Sequence, residues 1–447
     1  MSDKISIFIK QKIYSLIYVI FTQIFLLARK DSFFLRLIFS VNSFLSKINK
    51  GRYYKINYES KKILKTNDTR SVIFFHNHYY SFLYLAKSLR ARGWKAHSVS
   101  LTQKDDYLTH GCDIQLYDEN QFKLRNNFEN FMEVIIKEYK MVIFYSYFEI
   151  FPNIINYIIP LDAILMKKNG IKIGYVPSGC LNINTQTTTM KLANNICNKC
   201  IWQNNYKICS NKKNLHGINK VRGIADIVFY DMDYSTQYNT GSINDDIMEI
   251  KEPHVAALDP DYWKLNLDIP DKYKIYRKSP KHLIIMTAFA NQCLRTNKSR
   301  DIKGIGAMIE AINRLLNEGY PIQYIHQNNV PSRDMRYIQM QADIIIDQLN
   351  YGRYGAFARE GMMLGKPVIG RLIFPKGSPG NIALKECPII NASEETIYDV
   401  LKKVIELSPE ERYEIGKQSR DYMMKWHSAD NCAERFEKVY DQLITRS

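Results

Sequence analysis

Cysteine is scarce in this sequence of 447 residues, with eight in all, and glycine (20) and proline (14) are also few. So few cysteines argue against a disulfide-stabilised scaffold and favour a reducing, cytoplasmic location. No segment is rich in glycine, serine or proline, which argues against a low-complexity or disordered protein. Hydrophobic residues make up 46% and charged residues 24%, as is typical of a globular enzyme long enough for two domains.

Acidic residues are outnumbered, with 45 Asp and Glu against 62 Lys and Arg, so the formal net charge is +17. The excess is concentrated in residues 1–70, which contain 14 basic and 4 acidic residues. A nucleic-acid-binding protein usually has basic clusters interleaved with aromatic side chains across its folded part. Here the basic residues flank apolar segments instead, and we expect no nucleic-acid partner.

The apolar segments near the N-terminus are short. Ile13–Ala28 has sixteen residues without a charge, and Leu37–Ser46 is shorter still. A spanning helix needs about 20 apolar residues, and no signal-peptide cleavage site follows. We therefore expect residues 1–55 to form basic amphipathic helices that lie on an anionic membrane surface at its cytoplasmic face. The alternatives are packing on the protein's own body or on a second subunit, or full insertion of Ile13–Ala28.

Beyond residue 70, strand-like apolar runs alternate with helix-periodic stretches. Ser71–Phe75 and Met141–Tyr145 have the strand pattern, Leu161–Lys168 has the helical pattern, and a second series opens at His282–Thr287. Such alternation predicts an α/β fold with parallel, doubly wound sheets.

A stretch with four prolines separates the two series. It predicts two domains, at 56–250 and 281–425, joined by a linker at 251–280, and the apolar spacing near the C-terminus predicts a final helix at 426–447.

Residues 341–370, QADIIIDQLNYGRYGAFAREGMMLGKPVIG, form the most informative segment. A strand ends at Asp347, and a loop with Gly352 and Gly355 precedes a helix that carries Glu360. The glycines allow a ligand to approach the backbone closely, and the helix N-terminus offers N–H groups and a positive dipole end to a diphosphate. Glu360 can accept hydrogen bonds from the hydroxyls of a ribose.

This segment resembles the donor site of GT-B glycosyltransferases of the glycogen-synthase-like family 4 type (glycosyl transferases group 1), and a weaker likeness covers 280–435. The resemblance implies two Rossmann-like domains facing a cleft, a UDP- or GDP-linked sugar donor, and no metal or cofactor. By the same resemblance, 56–250 would be the acceptor domain, 281–425 the nucleotide-sugar domain, and the helix at 426–447 would cross back onto the N-terminal domain. Glu360 would bind the ribose, and Lys303 with Arg300 would neutralise the departing diphosphate. The implied donor-binding residues are Arg300, Lys303, Asp347, Gly352, Tyr354, Gly355 and Glu360.

The sequence departs from the family pattern at one position. Many members have a second Glu eight residues before the first, where this chain has Gly352. That carboxylate is expected near the donor sugar, so recognition of the sugar is left open. Asp347, Gln348 or Asn350 could take over part of its role.

The acceptor is expected at the strand ends of the N-terminal domain. His76 and His78 follow the first strand, Tyr147 and Glu149 follow Met141–Tyr145, and Ser178-Gly179 follows a third strand. An inverting enzyme needs a base near the acceptor hydroxyl, and histidine or a carboxylate serves. The candidate catalytic residues are therefore His76, His78 and Glu149.

A second motif is Cys197-x-x-Cys200 with Cys209, to which Cys180 or His216 could add a fourth zinc ligand. Structural zinc sites are usually marked by two closely spaced pairs, and only one is present. Thiols without a metal are therefore the favoured interpretation.

Taken together, these features predict a metal-independent hexosyltransferase-type glycosyltransferase. It would move a sugar from a nucleotide-sugar donor to a lipid-linked or cell-surface glycan acceptor, as in lipopolysaccharide, O-antigen or capsule assembly. Alternatives with the same fold are a nucleotide-sugar epimerase and a polyol-phosphate transferase. A catalytically silent scaffold subunit is a further alternative; the residue at Gly352 supports it, while Glu360 and Lys303 argue against it.

Overall fold

The computed structural model describes most of the chain. The described residues are 2–48, 70–75, 79–101, 110–117, 119–146, 148, 150, 154–177, 185–192, 196–203, 205–230, 247–289, 301–327, 330–374 and 382–445.

Two helices open the chain, and a first α/β series follows them. Its bounds are α1 (Ser2–Lys30), α2 (Ser32–Ile48), β1 (Ser71–Phe75), α3 (Ser81–Ala91), β2 (Lys95–Ser100), β3 (Ile114–Gln115), α4 (Gln121–Glu138), β4 (Met141–Tyr145), α5 (Ile154–Ile158), α6 (Leu161–Lys168), β5 (Lys172–Val176), α7 (Gln186–Leu192), a 3-10 turn (Ile196–Lys199), α8 (Asn211–Ile224), β6 (Ile227–Phe229) and β7 (Met248–Ile250).

Within the described residues these strands form one parallel sheet in the order β3-β2-β1-β4-β5-β6-β7. Both faces are covered, because Val72 and Phe74 enter one hydrophobic core while Ile73 and Phe75 enter another. Parallel sheets need this cover, which explains why β1 is apolar along its whole length. The strand order reverses between β1 and β4, and ligands bind at such a switch point.

The second series contains β8 (Leu283–Ala288), α9 (Ile305–Asn317), β9 (Ile322–Gln327), α10 (Ser332–Gln339), β10 (Ile344–Ile346), α11 (Ala356–Met363), β11 (Val368–Gly370), α12 (Ile382–Lys385), β12 (Ile390–Asn391), α13 (Ile397–Glu406), α14 (Pro409–His427) and α15 (Ala429–Thr445).

Its described strands are all parallel, in the order β12-β11-β10-β8-β9, so the switch point lies between β8 and β10. The predicted α/β fold with two parallel, doubly wound sheets is confirmed. The helix predicted to carry Glu360 spans Ala356–Met363, with Gly355 as its N-cap.

The last helix joins the two sheets. The ring of Phe436 on α15 lies 5.9 Å from that of Phe74 on β1, and Trp94 Nε1 donates to Glu437 over 2.7 Å. The turn between α14 and α15 is anchored by Leu258, whose N–H donates to His427 O over 2.8 Å. The C-terminal helix therefore packs on the first sheet, although it follows the second.

Helices α1 and α2 each have one face packed on the rest of the protein. Phe25 is fully buried in the core of the first sheet, and His216 on α8 contacts the rings of Tyr18 and Phe21. The Thr22 hydroxyl donates to Tyr18 O, so His216 Nδ1 donates to Thr22 Oγ1 over 3.2 Å. Burial lowers the pKa of His216 to about 3, and the ring is neutral.

The opposite face of both helices is apolar and exposed. It contains Phe8, Ile9, Ile13, Leu16, Val19, Ile20, Leu27, Phe33, Leu37, Val41, Phe44 and Ile48, and is called the outer apolar face below. By length and composition alone, Phe8–Ala28 is one helix that could cross a membrane among the described residues. The alternative of packing on the protein's own body therefore accounts for one face of each helix and leaves the other face exposed.

A glycine on α14 allows close packing beneath α11. A Cβ at Gly416 would lie 2.1 Å from Gly365 O, in the turn that ends α11. Alanine normally stabilises a helix over glycine by about 0.5–1 kcal/mol, but this backbone contact cannot move without displacing α11.

We therefore expect Gly416→Ala to lower the free energy of unfolding by about 1–3 kcal/mol through overpacking. Thermal unfolding measures it, with Lys417→Ala on the exposed side of the same helix as control, expected within about 0.5 kcal/mol of wild type. An unchanged or raised melting temperature for Gly416→Ala would contradict this packing.

Candidate functional site

The loop after β10 is held closed by a buried carboxylate. Asp347 is 1% exposed, and its Oδ2 accepts the N–H of Gly355 over 2.9 Å. No partner for its Oδ1 is found in the described part of the chain. A side chain at position 355 would come within 3.3 Å of Asp347, so glycine keeps this approach open. Asp347 thus lies under the loop and shapes it from inside the protein.

At Gly352, where many members of the resembled family have a second Glu, the backbone favours glycine. Its φ is +72°, a left-handed conformation that favours glycine, and a Cβ there would lie 2.9 Å from the Cβ of Ile373. The Gly352 carbonyl also accepts the N–H of Ile373 over 3.0 Å. The loop path excludes any side chain at position 352, and a glutamate therefore has no room.

The loop that carries Lys303 lies beside the loop after β10. Lys303 O accepts the N–H of Leu349 over 2.8 Å, and Lys303 Nζ lies 5.5 Å from the centre of the Phe289 ring at the end of β8. Asp301 accepts the N–H of Ile305 over 2.7 Å at the start of α9. The structure therefore brings Lys303 and the Asp347–Gly355 loop together at the switch point of the second sheet.

Tyr354 faces into the protein. Its hydroxyl lies 2.6 Å from Tyr422 Oη and 2.9 Å from His427 Nε2. His427 Nδ1 donates to Ala256 O over 2.9 Å, which leaves Nε2 as the acceptor of the Tyr354 proton. Burial holds the pKa of His427 well below its usual value and that of Tyr354 well above. The Tyr354 side chain thus fixes the loop to α14.

Glu360 is buried where the part of the molecule built on the first sheet meets the part built on the second sheet. These parts are called the first half and the second half below. It is 5% exposed, and its Oε1 accepts the hydroxyl proton of Tyr80 over 2.7 Å. Tyr80 directly precedes α3, a helix that packs on the first sheet. Desolvation of the carboxylate raises the pKa of Glu360 from 4.5 to about 7. Sequence reasoning missed Tyr80, because nothing local in the chain marks a partner 280 residues away.

An aromatic cluster surrounds Tyr80. The ring of His110 lies 4.5 Å from that of Tyr80, and Trp263, which is fully buried, lies 5.7 Å from it. His110 Nδ1 is 2.7 Å from Tyr84 Oη, and its Nε2 is 3.1 Å from Ser332 Oγ of the second half. Burial lowers the pKa of His110 to about 4, so its ring is neutral.

The cysteine-containing segment makes a second contact between the halves. Ile196 and Cys197 pack against Ile302, next to Lys303. Lys199 forms an ion pair with Glu394, whose Oε1 also accepts from Asn350 Nδ2 over 2.6 Å. This segment therefore lies on the loops of the second sheet, which its sequence did not indicate.

Metal binding at the cysteines gains no support from the described residues, which contain no group of three or more potential ligands. Cys197 and Cys209 are mostly buried, and Gln186 Nε2 donates to Cys209 O over 3.2 Å. His216 lies against α1, as described above, and Cys180 falls outside the described residues.

Several predicted residues lie outside the described residues: His76, His78, Tyr147, Glu149, Ser178, Gly179 and Arg300. Their neighbours mark the edge at which β1 and β4 end. Tyr79 and Ser146 have φ values of +54° and +71°, which are uncommon for residues other than glycine. Such backbone is often found at functional sites, and here it flanks the switch point of the first sheet.

Solved structures share this fold. Sucrose-phosphate synthase from Thermosynechococcus elongatus is 13% identical, with a TM-score of 0.51 over 85% of this chain and 100% of that one. The catalytic domain of starch synthase IV from Arabidopsis thaliana, bound to ADP and acarbose, is 10% identical, with a TM-score of 0.51 over 85% of this chain and 100% of that one. The predicted GT-B fold is confirmed. No family model and no curated protein matches the sequence.

The raised pKa of Glu360 predicts a pH dependence. The folded protein binds the proton of the Glu360 carboxyl group more tightly than the unfolded chain does, so protonation of Glu360 stabilises the fold. This stabilisation is complete below about pH 4.5 and is lost as the pH rises through about 7. The unfolding free energy of wild type should therefore fall relative to that of Glu360→Gln between about pH 5 and pH 8. The full change is on the order of 3 kcal/mol.

Denaturant unfolding of both proteins across that pH range measures the difference. Glu414→Gln, the same change at an exposed site on α14, serves as control and should run parallel to wild type. A pH-independent difference between wild type and Glu360→Gln would contradict the raised pKa.

Proposed function

We propose that this protein is a glycosyltransferase that uses a UDP- or GDP-linked sugar donor. The observation that carries the proposal is the joining of the Asp347–Gly355 loop, the Lys303 loop and the helix of Glu360 at the switch point of the second sheet. Ligands of doubly wound sheets bind at this position. Starch synthase IV, which has the same fold, is bound to ADP, and this supports a nucleotide as the ligand.

In the proposed reaction, the bond between the anomeric carbon and the β-phosphate oxygen breaks while an acceptor hydroxyl forms the new glycosidic bond. Negative charge develops on the diphosphate, and Lys303 stabilises it as a nearby cation. Glu360 holds the ribose. The Gly355 N–H is already engaged by Asp347, so the diphosphate is bound by Lys303 and by the other amides of the loop.

A metal is not required for this step, because lysine and backbone N–H groups stabilise the leaving diphosphate. Asp259-Pro-Asp261 has the spacing of a metal clamp, but its geometry serves another role. Asp259 Oδ1 accepts the N–H of Asp261 over 3.0 Å, and Oδ2 accepts from Lys87 Nζ over 3.0 Å. The aspartate therefore closes a turn beside α3.

The acceptor is proposed to bind across the cleft, where β1 and β4 end. His76, His78 and Glu149 remain the candidates for the base that removes the proton of the acceptor hydroxyl. The left-handed backbone of Tyr79 and Ser146 at the same edge supports a functional role there.

A nucleotide-sugar panel tests the donor proposal. Purified protein is incubated with UDP-, GDP- and ADP-sugars, and release of nucleoside diphosphate is measured together with melting temperature. We expect one nucleotide class to raise the melting temperature and to be hydrolysed slowly. We expect Lys303→Met to lower turnover about 100-fold or more, because it removes the cation that faces the leaving group.

Glu414→Gln and Lys417→Ala on the exposed face of α14 are the matched controls and should retain wild-type turnover. The absence of binding by any nucleotide would favour the scaffold alternative. Change of the sugar itself without transfer would favour the epimerase.

We further propose that the acceptor is lipid-linked or part of a cell-surface glycan, of lipopolysaccharide, O-antigen or capsule type, and that the enzyme docks on the cytoplasmic face of an anionic membrane. The support is the outer apolar face, with twelve large exposed hydrophobic side chains. Monomeric proteins rarely expose apolar patches of this extent without a partner.

The charges beside this face favour a lipid surface as that partner. Lys10, Lys12, Arg36 and Lys47 are exposed on the same helices, and each basic residue near an anionic bilayer contributes about 1 kcal/mol. The inner face of α1 packs on the rest of the protein through Phe25 and through the contact of Thr22 with His216 on α8. In this conformation α1 would therefore lie along the membrane surface and would not cross it.

Sedimentation with vesicles containing phosphatidylglycerol tests the docking. Wild type should pellet with the vesicles, less so at high salt, and Leu37→Glu/Phe44→Glu should remain in the supernatant. Gln418→Glu/Gln442→Glu adds the same two charges at exposed sites elsewhere and should still pellet. A dimer in solution that dissociates in the Leu37→Glu/Phe44→Glu variant, with no vesicle binding by wild type, would assign the face to a second copy of the chain.

A further inference from the structure

The contact between Tyr80 and Glu360 occupies the carboxylate that the proposed function assigns to the ribose. Tyr80 is fully buried and Glu360 is 5% exposed. The Tyr80 hydroxyl donates to Glu360 Oε1 over 2.7 Å. A ribose hydroxyl would donate to the same carboxylate with the same O–H group. The phenol and the ribose would therefore make the same kind of hydrogen bond to the same carboxylate.

We propose that Tyr80 competes with the donor ribose for Glu360, so that the two halves must separate at this point before a nucleotide binds. The inference rests on the proposed function, since it assumes that Glu360 binds the ribose. It gives Tyr80, which belongs to the first half, a regulatory role. In the conformation described above the carboxylate is closed off, and the donor displaces an internal hydroxyl.

The burial of the two side chains supports this competition. A ribose is much larger than the gap between a phenol oxygen and a carboxylate oxygen at 2.7 Å. The Tyr80 ring is also packed between His110 and Trp263, with centroid distances of 4.5 and 5.7 Å, so it cannot turn aside within the closed interface. Access to Glu360 therefore requires that α3 and α11 move apart.

Few polar contacts oppose the opening near Tyr80. His110 Nε2 is 3.1 Å from Ser332 Oγ, a neutral pair, and Lys87 is 67% exposed where it meets Asp259. Exposed ion pairs contribute little to stability. Burial also raises the pKa of Glu360, so the carboxylate is poorly solvated in the closed form and better solvated once the halves separate.

Tyr80→Phe tests the proposal, because it removes the competing hydroxyl and keeps the ring. Tyr84→Phe is the matched control: it lies one turn further along α3, is buried, and bonds His110 of the same half. Hydrogen–deuterium exchange of peptides covering 79–91 and 356–363 reports the opening without nucleotide. Calorimetry with UDP, GDP and ADP reports affinity.

We expect Tyr80→Phe to exchange faster in both peptides and to bind the preferred nucleoside diphosphate about tenfold more tightly, as expected for the loss of one competing hydrogen bond. Tyr84→Phe should match wild type in affinity. Equal or weaker binding by Tyr80→Phe, when wild type binds the nucleotide, would overturn the competition and leave the proposed function intact. Faster exchange in Tyr80→Phe, with no nucleotide bound by any variant, would overturn the proposed function.

Discussion

Two buried carboxylates beside α11 determine how the site is built. Asp347 is 1% exposed and Glu360 is 5% exposed, and a carboxylate removed from water is stable only where hydrogen bonds replace its hydration. Asp347 meets this requirement only in part and within its own half: its Oδ2 accepts the N–H of Gly355, which closes the loop after β10, while no partner for its Oδ1 is found among the described residues. Glu360 meets it through Tyr80 of the other half. One carboxylate shapes the loop, and the other joins the two halves of the molecule.

The same loop is held from other sides as well. Tyr354 ties it to α14 through His427, and the Lys303 carbonyl ties it to the loop before α9. The ion pair between Lys199 and Glu394 then brings the cysteine-containing segment onto this edge. The loop after β10 is therefore held within its own half from several sides.

Much of the fold could be predicted from the sequence, because the periodicity of apolar residues is local. The strand Ser71–Phe75 and the helix Leu161–Lys168 were predicted with the bounds that the structure shows. The pairing of Tyr80 with Glu360 could not be predicted, since it depends on how two sheets face each other. The inward direction of Tyr354 and the room at Gly352 depend on the path of a single loop. For the N-terminal helices, composition predicted an apolar surface. It could not predict that one side of α1 packs on α8.

We propose that Glu360 and Lys303 belong to one nucleotide site at the switch point of the second sheet. A crystal structure with the preferred nucleoside diphosphate bound tests this most directly. The ribose hydroxyls should lie within hydrogen-bond distance of Glu360, the diphosphate should lie beside Lys303, and Tyr80 should have withdrawn from the carboxylate. A nucleotide bound elsewhere, with Tyr80 still donating to Glu360, would contradict it.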